Sequence, residues 1–389
     1  MIRLLLLGTA LFLLQSCQLE NGSEVQGVYR LSTLDSTVYQ LSLVTAVDDA
    51  TYGRLSTTDG EKQYNMYLDS LSADTMYLRT QYGGNELAIA RAANSGTGTL
   101  HDTALSFTVQ KSPSKLPEDL SLSAELQPLP LPGFRQSWPA FRTDGGFYYV
   151  AFATANGFDD RQICLSRELS DGSWDQQILS YDQDIYRFNA VGLSPNERTL
   201  VATGARTDDQ GRGGANVYLL HLADPTTIDS IERLPNTINT DSYEVFADYA
   251  PDGSILYASG STAGGRSLGK SDLFRAIPRD TGYQIQHFPR GVNTSNSDSG
   301  PSMSPDGEQL FYYRKNPDID MPHTLFVSKR NEQGWGVGQR LPAPINLEHL
   351  GGYGIRMDKA GEFIYWTAHW RGRGHLYRYP VADIGILNP

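Results

Sequence analysis

Ser304-Pro305-Asp306-Gly307-Glu308-Gln309-Leu310-Phe311-Tyr312 is the stretch from which the architecture can be read. Pro presets φ for the first central turn position, Asp supplies a side-chain acceptor, and Gly takes the φ > 0 position, so the chain reverses tightly. An aliphatic and aromatic strand follows at once. Comparable turns stand at Arg142-Thr143-Asp144-Gly145, Ser194-Pro195-Asn196-Glu197, Ala250-Pro251-Asp252-Gly253 and Asp358-Lys359-Ala360-Gly361. Aligning them puts positions 144, 196, 252, 306 and 360 in register, at successive separations of 52, 56, 54 and 54 residues. A near-constant period of this length means stacked copies of one supersecondary unit.

Working outward from the turn, each unit repeats the same parts. The strand after it reads Phe147-Tyr148-Tyr149-Val150, Leu200-Val201-Ala202, Ile255-Leu256-Tyr257, Leu310-Phe311-Tyr312 and Phe363-Ile364-Tyr365. A second strand follows a loop: Ile163-Cys164-Leu165, Val217-Tyr218-Leu219-Leu220, Leu273-Phe274, Leu325-Phe326-Val327 and Leu376-Tyr377. Cys164 falls inside this buried run and reads as an inert core residue. Three copies end in Leu234-Pro235-Asn236-Thr237-Ile238-Asn239, Phe288-Pro289-Arg290-Gly291-Val292-Asn293 and Leu341-Pro342-Ala343-Pro344-Ile345-Asn346. Four short strands per unit, recurring radially, describe the blades of a β-propeller. The Ser-Pro-Asp-Gly turn, the aromatic strand and the Leu-Pro-x-x-Ile-Asn return resemble the TolB-type, WD40-like propeller repeat of bacterial envelope proteins, over about residues 120–389. The expected fold class is therefore all-β. Five repeats give five blades over residues 136–389, and a sixth, built partly from residues 112–135, is left open.

Toward the amino terminus the pattern changes. Residues 25–111 alternate apolar and polar side chains, with Tyr64, Met66 and Leu68 on one parity, as are Met76 and Leu78, Leu87 and Ile89, and Leu105, Phe107 and Val109. Period two marks half-buried antiparallel strands, here a small β-barrel or sandwich. Five prolines between Ser112 and Pro132 suggest a stiff connector over residues 112–135. At the start, Arg3 and the apolar runs Leu4 to Leu7 and Ala10 to Leu14 form a leader shorter than the ~20 residues of a membrane helix. It ends in Leu14-Gln15-Ser16-Cys17, which resembles the bacterial lipobox. That resemblance implies a signal peptide over residues 1–16, lipidation of Cys17, a tether over residues 17–24, and membrane attachment through the acyl chains. Gln18, in place of an aspartate associated with inner-membrane retention, tilts the expected location toward the outer membrane.

Composition narrows the function classes. The 389 residues include 38 Gly and 22 Tyr, are 39% hydrophobic and 20% charged, and carry 32 basic against 44 acidic side chains, a formal charge of −12. A folded core is affordable, and nucleic acid is disfavoured as a partner. Cys17 and Cys164 alone make neither a disulfide framework nor a zinc site. No His-Glu-x-x-His pattern occurs, so no cofactor is expected. Asn316-Pro317-Asp318-Ile319-Asp320 lacks the Gly and Glu of an EF-hand and leaves only a looser calcium site open.

Residues recurring once per unit read as scaffold: Asp144, Asp252 and Asp306 as turn residues, and Asn239, Asn293 and Asn346 as partners of local backbone. Trp174 and Trp335 read as inter-blade packing. A site is sought where units differ. In a propeller of the resembled topology the mouth is formed by the loops entering each innermost strand and those joining second and third strands. Arg187, Tyr243, Glu244, Asp298, Arg314, His349, Arg356 and Trp370 are the candidate ligand-binding residues. The leading expectation is a non-enzymatic envelope lipoprotein whose mouth holds a protein partner or an extracellular glycan or peptide. The alternative is a glycosidase or polysaccharide lyase using carboxylates among Asp241, Glu244, Asp298 and Glu348.

Overall fold

The computed structural model describes residues 26–45, 51–57, 63–72, 74–80, 85–90, 93–100, 103–114, 126, 128–133, 135–152, 161–206, 214–260, 268–315, 323–346, 352–370 and 373–387. The leader, the lipobox and Cys17 lie outside them, as does the Asn316–Asp320 segment. Two compact units divide the chain, residues 1–116 and 117–389. Among the described residues no helix is long and apolar enough to cross a membrane.

The first unit is a closed barrel of eight strands, each antiparallel to the next, running from Gly27–Thr33 to Thr103–Ser112. It closes where the first strand pairs with the last, Val28 opposite Ser112 and Thr33 opposite Phe107. The alternation decides what fills it: Tyr64, Met66, Leu68, Met76, Leu78, Leu87, Ile89, Phe107 and Val109 are buried in one core with Leu31, Leu41 and Leu55. Between the barrel and sandwich alternatives, closure removes both sheet edges.

The second unit is built from repeated antiparallel sheets. The first four innermost strands are Arg135–Phe141, Tyr186–Leu193, Glu244–Tyr249 and Ser297–Met303, and the fifth is Gly352–Met357. Each begins a sheet whose later strands follow in chain order. Successive innermost strands lie side by side, and the fifth returns to the first, so among the described residues they close a ring of five. The fifth sheet has only two further strands of its own, Phe363–Trp370 and Arg373–Pro380. Its outer edge is covered by residues from the stretch expected as connector: Pro128 bridges Tyr377 antiparallel, and Leu129 N donates to Leu376 O at 2.7 Å. Residues 128–131 therefore act as the outermost strand of the last blade, and they fasten the ring.

The repeated motifs have local causes. In the fourth unit Ser304 Oγ donates to Asp306 Oδ1 at 2.5 Å, Gln309 N donates to Ser304 Oγ at 2.9 Å, and Gly307 takes φ 75°. The same φ > 0 position is Gly145, Gly253 and Gly361 in three other units, while Glu197 holds it at 58° in the second. Glu197 has a compensation, because its Oε1 accepts the Thr143 N–H of the preceding blade at 2.6 Å. The asparagines act over a longer range than expected. Asn293 accepts from Leu273 N at 2.7 Å and donates to Leu273 O and Phe288 O, clasping the third strand of its own blade. Asn239 and Asn346 repeat this on Val217 and Leu325. All three are buried scaffold. Cys164 is also fully buried, and desolvation pushes its thiol up to about 11. Trp335 packs on Phe288 of the neighbouring blade, and Trp174 on Phe147.

Candidate functional site

Every innermost strand carries a register shift near the same place, one residue earlier in the second, at Asn189, than in the other four. Counting six residues back from the register position of each turn gives Trp138, Ala190, Phe246, Gly300 and Gly354. Four of these have positive φ, from 58° at Phe246 to 65° at Gly300. The bulge turns the side chains at this level toward the ring axis, where the residues differ between blades. Trp138 stacks on Phe246 at 4.5 Å between ring centroids, and both approach Tyr313. Tyr353 lies against Trp138 at 5.6 Å, and His323 packs against Tyr313 at 4.5 Å. Room for the indole comes from the glycines: a Cβ on Gly300 would lie 2.8 Å from Trp138 Cη2, and one on Gly354 3.3 Å from its ring. His323 is half-buried against this cluster, and desolvation holds its imidazole down near 4, in the neutral form.

Two residues nearer the turn, the equivalent positions are Ala140, Gly192, Asp248, Ser302 and Arg356. Three are small and two are charged, and the charged pair meets across the ring. Arg356 Nη1 donates to Asp248 Oδ1 at 2.8 Å, with the side chains 5% and 9% exposed. Their strands belong to the third and fifth blades, separated by the fourth. Gly192 allows the approach, because any Cβ there would collide with Asp248. The guanidinium carbon lies 6.0 Å from the Trp138 ring. Burial pushes the Asp248 carboxyl up to about 6, against the opposing pull of Arg356, the Tyr249 N–H and Lys359. Burial likewise lowers Arg356, and Asp248 opposes that.

Of these residues, Ala140, Asp248 and Arg356 line an axial cavity of about 160 Å³. All five innermost strands contribute walls: Ala140 and Phe141, Leu193, Asp248 and Tyr249, Met303, and Arg356 and Met357. Its rim is Pro195, Pro251, Pro305 and Lys359, the residues preceding the register position of four turns. The cavity thus lies at the turn end of the innermost strands, opposite the loops from which a mouth was expected. Most loops joining second and third strands, residues 153–160, 207–213, 261–267, 316–322 and 371–372, lie outside the described residues.

Of the candidates among the described residues, Arg356 alone is in the lining of the axial cavity. Glu244 is fully buried and braces a turn: its carboxylate accepts from Thr240 Oγ1 at 2.6 Å, Thr240 N at 3.1 Å and Ser259 Oγ at 2.9 Å. Asp298 does the same one blade on, accepting from Thr294 N at 2.7 Å and Thr294 Oγ1 at 2.8 Å, and also from Arg314 Nε at 2.6 Å. Burial raises both carboxyls despite these bonds. Arg314 is engaged on all sides, with Val292 O at 3.0 Å and the Phe326 ring 4.5 Å beneath it. Tyr243 is 38% exposed and donates to Lys270 O at 2.9 Å. Arg187 is half-buried on the second innermost strand, opposite Ala205. Trp370 ends the Phe363–Trp370 strand, and His349 lies outside the described residues. Among the described residues, no three His, Cys, Asp or Glu side chains group as a metal site would require.

Trp138, Phe246, Tyr313 and Asp248 were not among the candidates. The signal for Asp248 is a column of otherwise small residues in which only it and Arg356 are charged, visible once the turns are aligned.

No family model and no curated protein matches the chain. Among solved structures, it is similar to TolB from Acinetobacter baumannii at 14% identity and TM-score 0.38, covering 85% of this chain and 76% of that one. It is similar to putative TolB from Agrobacterium tumefaciens at 13% identity and TM-score 0.39, over 91% and 99% of the two chains. An alpha-L-arabinofuranosidase from Lactobacillus brevis is similar at 12% identity and TM-score 0.41, over 66% and 92%.

Proposed function

We propose that the protein is a non-enzymatic binding protein of the bacterial cell envelope, anchored through a lipid on Cys17, and that its propeller takes a ligand in the axial cavity. The observation that carries this reading is that three equivalent but unlike positions of different blades, Ala140, Asp248 and Arg356, come together in the lining of one cavity. A scaffold needs like residues at like positions, and departure from that rule at a shared cavity is where a radial fold acquires specificity. Two of the four carboxylates considered for hydrolysis argue the same way. Glu244 and Asp298 are consumed in bracing equivalent turns of neighbouring blades.

Envelope attachment rests on the lipobox-like Leu14-Gln15-Ser16-Cys17, and Cys17→Ala moves the protein from the membrane to the soluble fraction of cells. Binding is tested by thermal shift on the acyl-free chain with a panel of small acids, phosphates, amines and neutral sugars. At least one class raises the melting temperature in wild type and not in Arg356→Met. A panel in which no class does so overturns the reading.

A further inference from the structure

Resting on that binding reading, we infer that the axial cavity takes a primary ammonium group on a short apolar stem, held by the free Oδ2 of Asp248. The two oxygens of this carboxylate are used unequally. Oδ1 accepts both Arg356 Nη1 and the Tyr249 N–H, each at 2.8 Å. Oδ2 has no hydrogen-bond partner among the described residues, yet it is not sealed from water as the Nε and Nη2 of Arg356 are. Asp248 is a wall residue of the cavity, and its side chain is 9% exposed. Burial raises the carboxyl only to about 6, so at neutral pH it carries its charge. A buried carboxylate with one oxygen short of donors keeps part of its desolvation cost. An ammonium brings three donors and the opposite charge, and removes that cost.

The rest of the lining limits what carries the ammonium. Among the described residues the lining holds no second acid, which disfavours a divalent metal ion. Leu193, Met303 and Met357 supply apolar wall for a stem. A cavity of roughly 150 Å³ accommodates benzene, so about 160 Å³ takes a branched stem of similar size and not a whole glycan. Arg356 and Lys359 against Asp248 leave one net positive charge on the lining, and an ammonium alone adds a second. Lys359 is exposed at the rim, close enough for its charge to act on Asp248. A carboxylate beside the ammonium meets Lys359 and cancels the excess. Both a simple amine and an α-amino acid with an apolar side chain present the ammonium, and Lys359 favours the amino acid. Arg356→Met loses the same ligand indirectly, because Asp248 is left without the charge that opposes its protonation.

The test is calorimetric titration of the acyl-free full chain at neutral pH with three compounds. They are leucine, 3-methylbutylamine, which is leucine without its carboxylate, and 4-methylpentanoate, which is leucine without its amino group. The better ammonium ligand binds at least tenfold more tightly than 4-methylpentanoate. Leucine binding more tightly than the amine assigns an amino acid, and the amine binding as tightly or more so assigns a simple amine. Asp248→Asn removes the charge with little change of shape and abolishes the preference for an ammonium. Lys359→Met lowers the ratio of leucine to amine affinity severalfold, because a carboxylate loses its partner and an ammonium loses a repelling neighbour. Circular dichroism verifies that both variants fold, and if Asp248→Asn does not, the ratio in Lys359→Met decides. Equal binding of 4-methylpentanoate, a preference that survives Asp248→Asn, or an unchanged ratio in Lys359→Met overturns the ammonium assignment while leaving a binding role intact. Binding confined to another class of the wider panel does the same. If neither these compounds nor any class of that panel binds, the binding role itself fails.

Discussion

Asn293 shows how one residue type can be conspicuous without being functional. Its amide satisfies both backbone groups of Leu273 and the Phe288 carbonyl, all in the interior. Asn293→Ala strands one N–H and two carbonyls, and the expected loss is about 2 to 4 kcal/mol in urea denaturation. Glu244 and Asp298 belong to the same lesson. They stand 54 residues apart, as do Asn239 and Asn293, so the repeat already marked them as equivalent scaffold. They drew notice as acids near an expected mouth, yet their partners Thr240 and Thr294 are four residues away and act locally. Asp248 escaped notice for the opposite reason. An aspartate four residues before a turn has no local chemistry to announce, and its partner Arg356 lies 108 residues further along the chain.

Among elements, the strands and turns follow from nearby sequence, whereas the closing strand does not. Residues 128–131 read as a connector because prolines alternate with leucines, and proline cannot serve in a central strand. At a sheet's outermost edge that objection lapses: Leu129 contributes the N–H that reaches Leu376 O while its side chain is buried with Leu131, Tyr365 and Leu376. Leu129→Ala removes that anchor, and a cost of about 2 to 4 kcal/mol is expected, with the unfolding midpoint shifted and the denaturant slope unchanged. A smaller loss would mean that the edge strand contributes little to holding the ring closed. The bulges are likewise illegible beforehand. Only the pairing register shows that Trp138 and Phe246 take a left-handed conformation beside Gly300 and Gly354.

At the scale of the whole molecule, the Asp248–Arg356 pair joins the third and fifth blades, which are not neighbours in the ring, and it ties stability to pH. The Asp248 carboxyl is raised from 3.8 to about 6 by burial. Between these values the folded state holds a proton that the unfolded state has lost, so this contribution is complete below 3.8 and disappears as pH rises through 6. Lowering the pH from 8 to 5 is expected to stabilise wild type relative to Asp248→Asn by roughly 1 to 1.5 kcal/mol, measured by paired urea titrations. An unchanged difference would show that the carboxyl titrates normally. The sequence by itself determined the all-β class, the period, the turn chemistry and the alternating core of the amino-terminal barrel, because hairpins and strand faces are governed by residues within a few positions of one another. Only the tertiary structure decided which end of the propeller carries the cavity and which charges face each other there. Ring closure brings together residues a hundred or more positions apart, and no local preference encodes which of them will share an axis.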